Sequence, residues 1–177
     1  LIQKPMNTLA VDLVSCDFRS FSFPDPGKHS FEKHEAAQKY LKLGGLPGLC
    51  FVRNDRDRMD LLDSQLNLIL DRDLRLVCDT KLPLSRLLTI VRIIAENQNR
   101  PLNITDLRRK TQVSEPTLKK VLAGLEAIFF LRLIPTEGDE SHPVVFLEDQ
   151  GEAYYLASGR FDSAADLERL AYAHLRV

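Results

Sequence analysis

The sequence has almost no net charge and lacks the segments that mark membrane and secreted proteins. Its 24 Lys and Arg residues nearly balance its 25 Asp and Glu residues, which leaves a formal net charge of -1. That balance gives no global attraction to nucleic acid or to an anionic membrane, so such binding needs a local basic patch. No apolar run approaches the roughly 20 residues that span a bilayer, and the first residues do not form a signal peptide. We therefore expect a cytoplasmic protein without membrane contact.

The motifs of common catalytic and metal sites are also missing. The chain contains no H-E-x-x-H motif, no Cys/His cluster and no serine in a G-x-S-x-G elbow. Gly27 to Ser30 is similar to the end of a phosphate-binding loop, but Ser22 stands at the first glycine position and His29 follows the lysine. The widely spaced cysteines form no C-x-x-C motif, which is typical of reduced thiols; they are Cys16, Cys50 and Cys78. We predict no catalytic, cofactor-binding or metal-binding residue here.

Residues 84 to 147 are the most regular part of the sequence and predict three helices. The first helix has apolar residues at helical spacing: Leu84, Leu87, Leu88, Val91, Ile94 and Ala95. Asn103 is placed to cap a short second helix and Ser114 a third, with Pro116 tolerated in its first turn. The predicted buried stripe of the third helix comprises Leu118, Val121, Leu122, Leu125, Ile128 and Phe129.

A β-hairpin is predicted after the third helix. The run from Phe129 to Ile134 is β-rich and is stopped by Pro135, and a polar loop over residues 136 to 142 leads to a second strand, Val144 to Leu147. Three helices followed by a hairpin are the pattern of a winged helix-turn-helix. The predicted fold class is therefore mainly α with a small β-hairpin, a winged helix-turn-helix plus an adjoining helical segment.

The flanks of this region predict further helices. Residues 1 to 80 form an N-terminal segment of lid-like helices and linker, in which the glycine-rich turn 44 to 48 implies positive φ or close backbone approach. A long helix runs to about Val77 with Leu62, Leu66, Ile69 and Leu70 on one face, and the charged run 71 to 73 interrupts it.

The predicted domains are completed by residues 81 to 150, the winged helix, and residues 151 to 177. The latter comprise a connector and a helix from about Ser163 that reaches Val177 without a capping residue. We expect this last helix to begin a further, truncated domain.

Short motifs spread over residues 40 to 177 resemble one family. They are Gly44-Gly45-Leu46-Pro47, Leu70 to Leu74, Val113 to Leu118, Leu125-Glu126, Phe146 to Gly151 and Leu167 to Leu170. In order and spacing they resemble the segment that follows the P-loop module in a group of bacterial and archaeal AAA-type ATPases. In that family the segment is a winged-helix domain of unknown function, and it usually leads into a nuclease-like fold.

This resemblance implies a fragment of a larger protein. The Walker lysine and the magnesium-binding acid are absent from the chain, so ATP and Mg²⁺ are expected only in the parent protein. Glu168 is similar to a glutamate of the nuclease-like fold, but one carboxylate cannot supply the several oxygen ligands that Mg²⁺ needs. Gly48 and Pro143 stand where the family often has an acid and a lysine. We expect a non-catalytic C-terminal fragment of an AAA-type ATPase.

Two functions remain open for the winged helix. Residues 100 to 132 carry a local charge of +4, from seven basic and three acidic residues, which favours phosphate contact. The candidate contact residues are Arg100, Arg108, Arg109, Lys110, Thr117, Lys119 and Lys120. The outward positions of the third helix include no Arg, Asn or Gln to read bases, and its Ala123-Gly124 pair would allow close packing of another helix. A module that contacts its own ATPase domain or another protein is therefore favoured over sequence-independent DNA binding.

Overall fold

The computed structural model describes residues 40–50, 52, 54–136, 139–159 and 171, without the side chains of residues 47, 50 and 139–141. The predictions for residues 1–39 and for the C-terminal helix lie outside this part, except that Ala171 is helical and exposed. After a helical turn at residues 40–43, the elements are α1 (Pro47–Cys50), α2 (Asp55–Leu68), a π-helical turn (Ile69–Asp73), α3 (Leu74–Val77), α4 (Leu84–Glu96), α5 (Ile104–Thr111), α6 (Glu115–Ala127), β1 (Leu131–Thr136), β2 (Asp139–Leu147) and α7 (Gln150–Leu156). The predicted fold class, mainly helical with one hairpin, is confirmed.

The three central helices follow the predicted apolar pattern. The buried residues of α4 are Leu87, Ile90, Val91, Ile94 and Ala95, and those of α6 include Leu118, Val121, Leu122 and Leu125. The Asn103 side chain caps α5 as predicted, since its Oδ1 accepts a hydrogen bond from the N–H of Asp106 at 3.0 Å. Ser114 occupies the N-cap position of α6, but its Oγ lies 2.8 Å from Thr117 Oγ1 and bonds no backbone N–H.

The end of α6 and the hairpin differ from the prediction. Phe129 was assigned to the buried stripe, which is wrong, because its backbone turns to a φ of +58° after α6 and its side chain is 72% exposed. β1 starts at Leu131, and Pro135 lies inside it at a register shift, where a missing N–H donor is tolerated. β2 starts at Asp139 rather than Val144 and is longer than predicted, whereas β1 has the predicted length but lies two residues later.

The long helix before α4 reaches Val77 as predicted, and its charged interruption is a π-helical turn. The N–H of Leu74 bonds the carbonyl of Ile69, which adds one residue to that turn. Leucines spaced four apart drift around a regular helix by about 40° per step. The extra residue resets this drift, so that Leu62, Leu66, Leu70 and Leu74 are all buried on one side.

Helix α6 is approached closely by α3. A Cβ at Gly124 would stand only 2.8 Å from both Cys78 Cβ and Leu74 Cδ1. The prediction that Gly124 points outward is wrong, because the chain's own α3 already packs against it. The predicted connector after the hairpin also differs, since it contains α7, which packs against α2, α4 and β2.

Candidate functional site

The predicted basic residues of α5 are held by one carboxylate. Arg109 Nη2 lies 2.6 Å from Asp106 Oδ1, and Lys110 Nζ lies 2.9 Å from Asp106 Oδ2. These hydrogen bonds, from Lys110 and then Arg109, lower the pKa of Asp106, which keeps the carboxylate charged. Two of the cations counted for phosphate contact are therefore partly neutralised within their own helix.

The predicted residues of α6 are engaged in the same way. Lys119 Nζ lies 2.8 Å from Glu115 Oε1, and this bond lowers the pKa of Glu115. Lys120 Nζ donates a 2.6 Å hydrogen bond to the carbonyl of Asp79, just after α3. Thr117 is half-buried and bonds Ser114. Lys119 and Lys120 thus use part of their bonding capacity within the chain, although both side chains stay exposed.

Arg100 and Arg108 are exposed and form no ion pair with a described residue. The charge of Arg108 still contributes to the lowered pKa of Glu115, which places it near the start of α6. Arg100 lies elsewhere, beside the hairpin, because Pro101 forms an isolated bridge with Val144. The structure thus brings together the candidates of α5 and α6 and leaves Arg100 apart from them.

A second feature, the Asp149 joint, consists of Gly44, Gly45, Asp149, Gly151 and Glu152. Asp149 caps α7, since its Oδ1 accepts from the N–H of Glu152 at 2.9 Å, and its Oδ2 accepts from the N–H of Gly45 at 2.8 Å. Burial raises the pKa of Asp149, and backbone N–H groups of both segments, including those of Gly151 and Leu46, oppose that rise. One carboxylate therefore ties two segments that lie 104 residues apart.

Two glycines make the Asp149 joint possible. Gly44 has a φ of +73°, and a Cβ there would overlap both carboxylate oxygens of Asp149. A Cβ at Gly151 would overlap the carbonyl of Leu43. The predicted close approach at the glycine-rich turn is thus confirmed for Gly44. It is wrong for Gly48, which lies in α1 with nothing within 4 Å of its Cβ position.

Glu152 is the unusual member of the joint. Its side chain is 4% exposed, and its Oε1 has no hydrogen-bond partner in the described part of the chain. Burial, and then the charge of Asp149, raise the pKa of Glu152 to about 8. The sequence carried a signal for this cap, because an acid three residues after Asp149 is typical of a helix N-terminus. The sequence could not show that the N–H of Gly45 donates a further hydrogen bond to Asp149.

α2 and α3 also carry a row of exposed leucines, on a different side from the buried Leu62, Leu66, Leu70 and Leu74. This leucine row consists of Leu61, Leu68 and Leu76, which are 47%, 52% and 80% exposed. Their spacings of seven and eight residues stay on one side because the π-helical turn lies between the second and third. A contiguous exposed apolar patch is typical of a surface that contacts protein, and the leucine row is the candidate for one on this helix. The row was not predicted from the sequence, because its three leucines align only through the extra residue of the π-helical turn.

A groove of about 1190 Å³ lies between the turn at residues 40–43, α2, α4 and α7. It is lined by groups of both charges, namely Lys42, Arg58 and Arg92 against Asp55 and Glu96. Arg58 forms an ion pair with Asp55 within the groove. The mixed charge selects no ligand class.

The described residues contain no group of three or more His, Cys, Asp or Glu side chains close enough to share a metal ion. Within the same residues, no helix combines the length and the apolar composition that a membrane span requires. Cys78 is a buried free thiol, and burial raises its pKa.

Comparison with known proteins gives one family. No curated protein matches the chain, and no solved structure matches it. A family model described as a domain of unknown function (DUF8612) matches residues 34–156, which include every element from α1 to α7. The match crosses both predicted domain boundaries, at 80/81 and at 150/151. The chain belongs to the DUF8612 family.

Proposed function

We propose that this chain is a non-catalytic module that contacts protein, and that α4, α5, α6 and the hairpin form a winged helix within it. The order of these elements supports the proposal, as do the contacts of α4 with α5 and of α5 with α6. The parent protein is an AAA-type ATPase, as the resemblance of the Gly44–Pro47 and Phe146–Gly151 motifs implies. The module couples the ATPase part to a partner.

The leucine row is the observation that carries this proposal. Leu61, Leu68 and Leu76 stay exposed although the same helix buries four other leucines. By contrast, Lys119 and Lys120, on the helix that would enter a DNA groove, are bonded to groups of the chain itself. Covering apolar surface with a protein partner is favourable because it removes that surface from water. A phosphate backbone instead attracts cationic side chains.

The test uses the full-length gene product. Leu68→Lys places a charge in the middle of the leucine row, and Asn67→Lys adds the same charge beside it as a matched control. We expect Leu68→Lys to change the ATP hydrolysis rate of the parent at least threefold with unchanged stability, and Asn67→Lys to leave the rate unchanged. A parent sequence without a Walker motif, or equal rates for both variants, would contradict the proposal.

Sequence-independent DNA binding is the second candidate. The exposed side chains of Arg100 and Arg108, which have no ion-pair partner among the described residues, favour it. If they contact phosphates, the double variant Arg100→Ala/Arg108→Ala should weaken binding to every duplex. It should also reduce the slope of log affinity against log salt concentration by about two. Unchanged salt dependence in the double variant would remove this candidate.

A further inference from the structure

The Asp149 joint contains two carboxylates, but its backbone N–H donors bond only that of Asp149. The N–H groups of Gly45 and Glu152 both point at Asp149. Glu152 stands one helical turn further on, almost fully buried, with its Oε1 unpartnered in the described part of the chain. Two neighbouring ionised carboxylates repel each other, and a buried carboxylate oxygen without a donor disfavours the ionised form. Ionisation of Glu152 is therefore disfavoured while the joint is closed.

We infer that the Asp149 joint is a proton-dependent latch, in which a proton on Glu152 keeps the Gly44–Leu46 turn attached to α7. When Glu152 loses this proton to solvent, its carboxylate competes with Asp149 and the turn is released. The latch goes beyond the proposed function, because it belongs to the chain whatever its partner is.

Within the described part of the chain, no cation compensates Glu152. The charged groups of the turn, α2 and α4 that line the groove beside α7 or approach its Tyr155 are Lys42, Asp55, Arg58, Asp60, Asp63, Arg92 and Glu96. Among the charged groups that the structure describes, only Asp149 contributes to the shift of the Glu152 pKa, and Asp149 raises that pKa. Ionisation of Glu152 is therefore opposed by Asp149 and by burial, and the repulsion acts on the carboxylate that accepts the N–H groups of the turn.

The geometry also determines which part moves. Gly44 and Gly151 fit against Asp149 and Leu43 without space for a methyl group, so this close contact requires the turn to stay in place. The N–H groups that bond Asp149 lie in the turn and in α7, and none of them lies in α4. We therefore expect release to be local to the turn and α4 to keep its packing.

Hydrogen exchange tests the latch in the isolated chain. After correction for intrinsic rates, we expect the protection of the Gly45 and Leu46 amides to fall at least tenfold between pH 6 and pH 9, because the ionised fraction of Glu152 rises roughly 90-fold. Protection of Ile90 to Ile94 in α4 should change less than twofold. The variant Glu152→Gln cannot ionise, and its turn should keep constant protection.

A second measurement covers the case in which the variant does not fold. In the wild-type chain, the carbon resonance of the Glu152 carboxyl should titrate with the same midpoint as the loss of Gly45 protection. Titration of Glu152 below pH 6, or protection of Gly45 that stays constant through the Glu152 titration, would overturn the latch. A fall in Gly45 protection that persists in folded Glu152→Gln would overturn it as well. None of these outcomes depends on the partner or on the parent protein.

Discussion

At the scale of single residues, the glycines of the turn before α1 have opposite roles. Gly44 lies at positive φ with its missing Cβ against Asp149, whereas Gly48 is helical with open space around it. Gly44→Ala should lower the free energy of unfolding by about 2–4 kcal/mol, from backbone strain and overlap together. Gly48→Ala is the matched control and should be neutral or slightly stabilising. Urea unfolding of both variants measures this, and equal midpoints would contradict the assigned geometry.

The raised pKa of Glu152 makes the free energy of unfolding depend on pH. Its pKa is about 8 in the folded protein and 4.5 ordinarily. Below pH 4.5 both states hold the proton and nothing is lost. Between pH 4.5 and 8 the unfolded chain ionises while the native chain does not, so stability falls as pH rises, by up to roughly 5 kcal/mol.

The variant Glu152→Gln isolates this contribution. Its free energy of unfolding should fall less than that of the wild type between pH 5 and pH 8.5, and the difference between the two curves should level off above the folded-state pKa. Urea midpoints at four or five pH values give both curves. Parallel curves would mean that Glu152 ionises normally in the folded protein.

At the scale of elements, the π-helical turn accommodates one extra residue in the long helix. Deleting Arg72, an exposed residue within it, removes that extra residue and leaves a regular α-helix in which Leu74 and Cys78 keep their direction toward the core. Deleting Ser64, an exposed residue of α2 outside the turn, instead rotates Leu62 relative to Leu66 by about 100°. We expect the Ser64 deletion to cost more than about 3 kcal/mol, comparable with removing a buried leucine, and the Arg72 deletion to cost clearly less. Thermal unfolding compares the two, and a melting temperature of the Arg72 deletion as low as that of the Ser64 deletion would contradict this account of the turn.

Helical periodicity explains which elements the sequence could predict. The helices α4, α5 and α6 were predictable because each has one apolar face and, for α5, a capping residue at Asn103. The strand boundaries were not, since Pro135 reads as a strand stop although the edge of a two-stranded sheet tolerates it. The exposure of Phe129 depends on its positive φ, and an apolar side chain gives no indication of a positive φ in the sequence.

The candidate site was less predictable than the fold for a physical reason. Basic residues could be counted from the sequence, but their pairing depends on distances along and between helices, as with Lys120 and the carbonyl of Asp79. The Asp149 joint needs the contact of Gly45 with a residue 104 positions away. Local patterns carry no information on such a pairing, although Asp149 and Glu152 together mark the start of a helix.

At the scale of the whole molecule, charge and apolar surface are distributed on different helices. Most of the basic candidates are tied into ion pairs or backbone bonds on α5 and α6, while exposed leucines lie along α2 and α3. A net charge of -1 gives the chain no global attraction to nucleic acid. The proposed contact with a protein would therefore lie on the leucine row.

The most direct measurement is fluorescence anisotropy of a labelled DNA duplex titrated with the wild-type chain at roughly 50 mM salt, where even a few phosphate contacts give measurable affinity. The proposed protein-contact function predicts no saturable rise in anisotropy up to about 100 µM chain. A saturable rise that disappears as salt is increased to about 200 mM would show phosphate contact and contradict it.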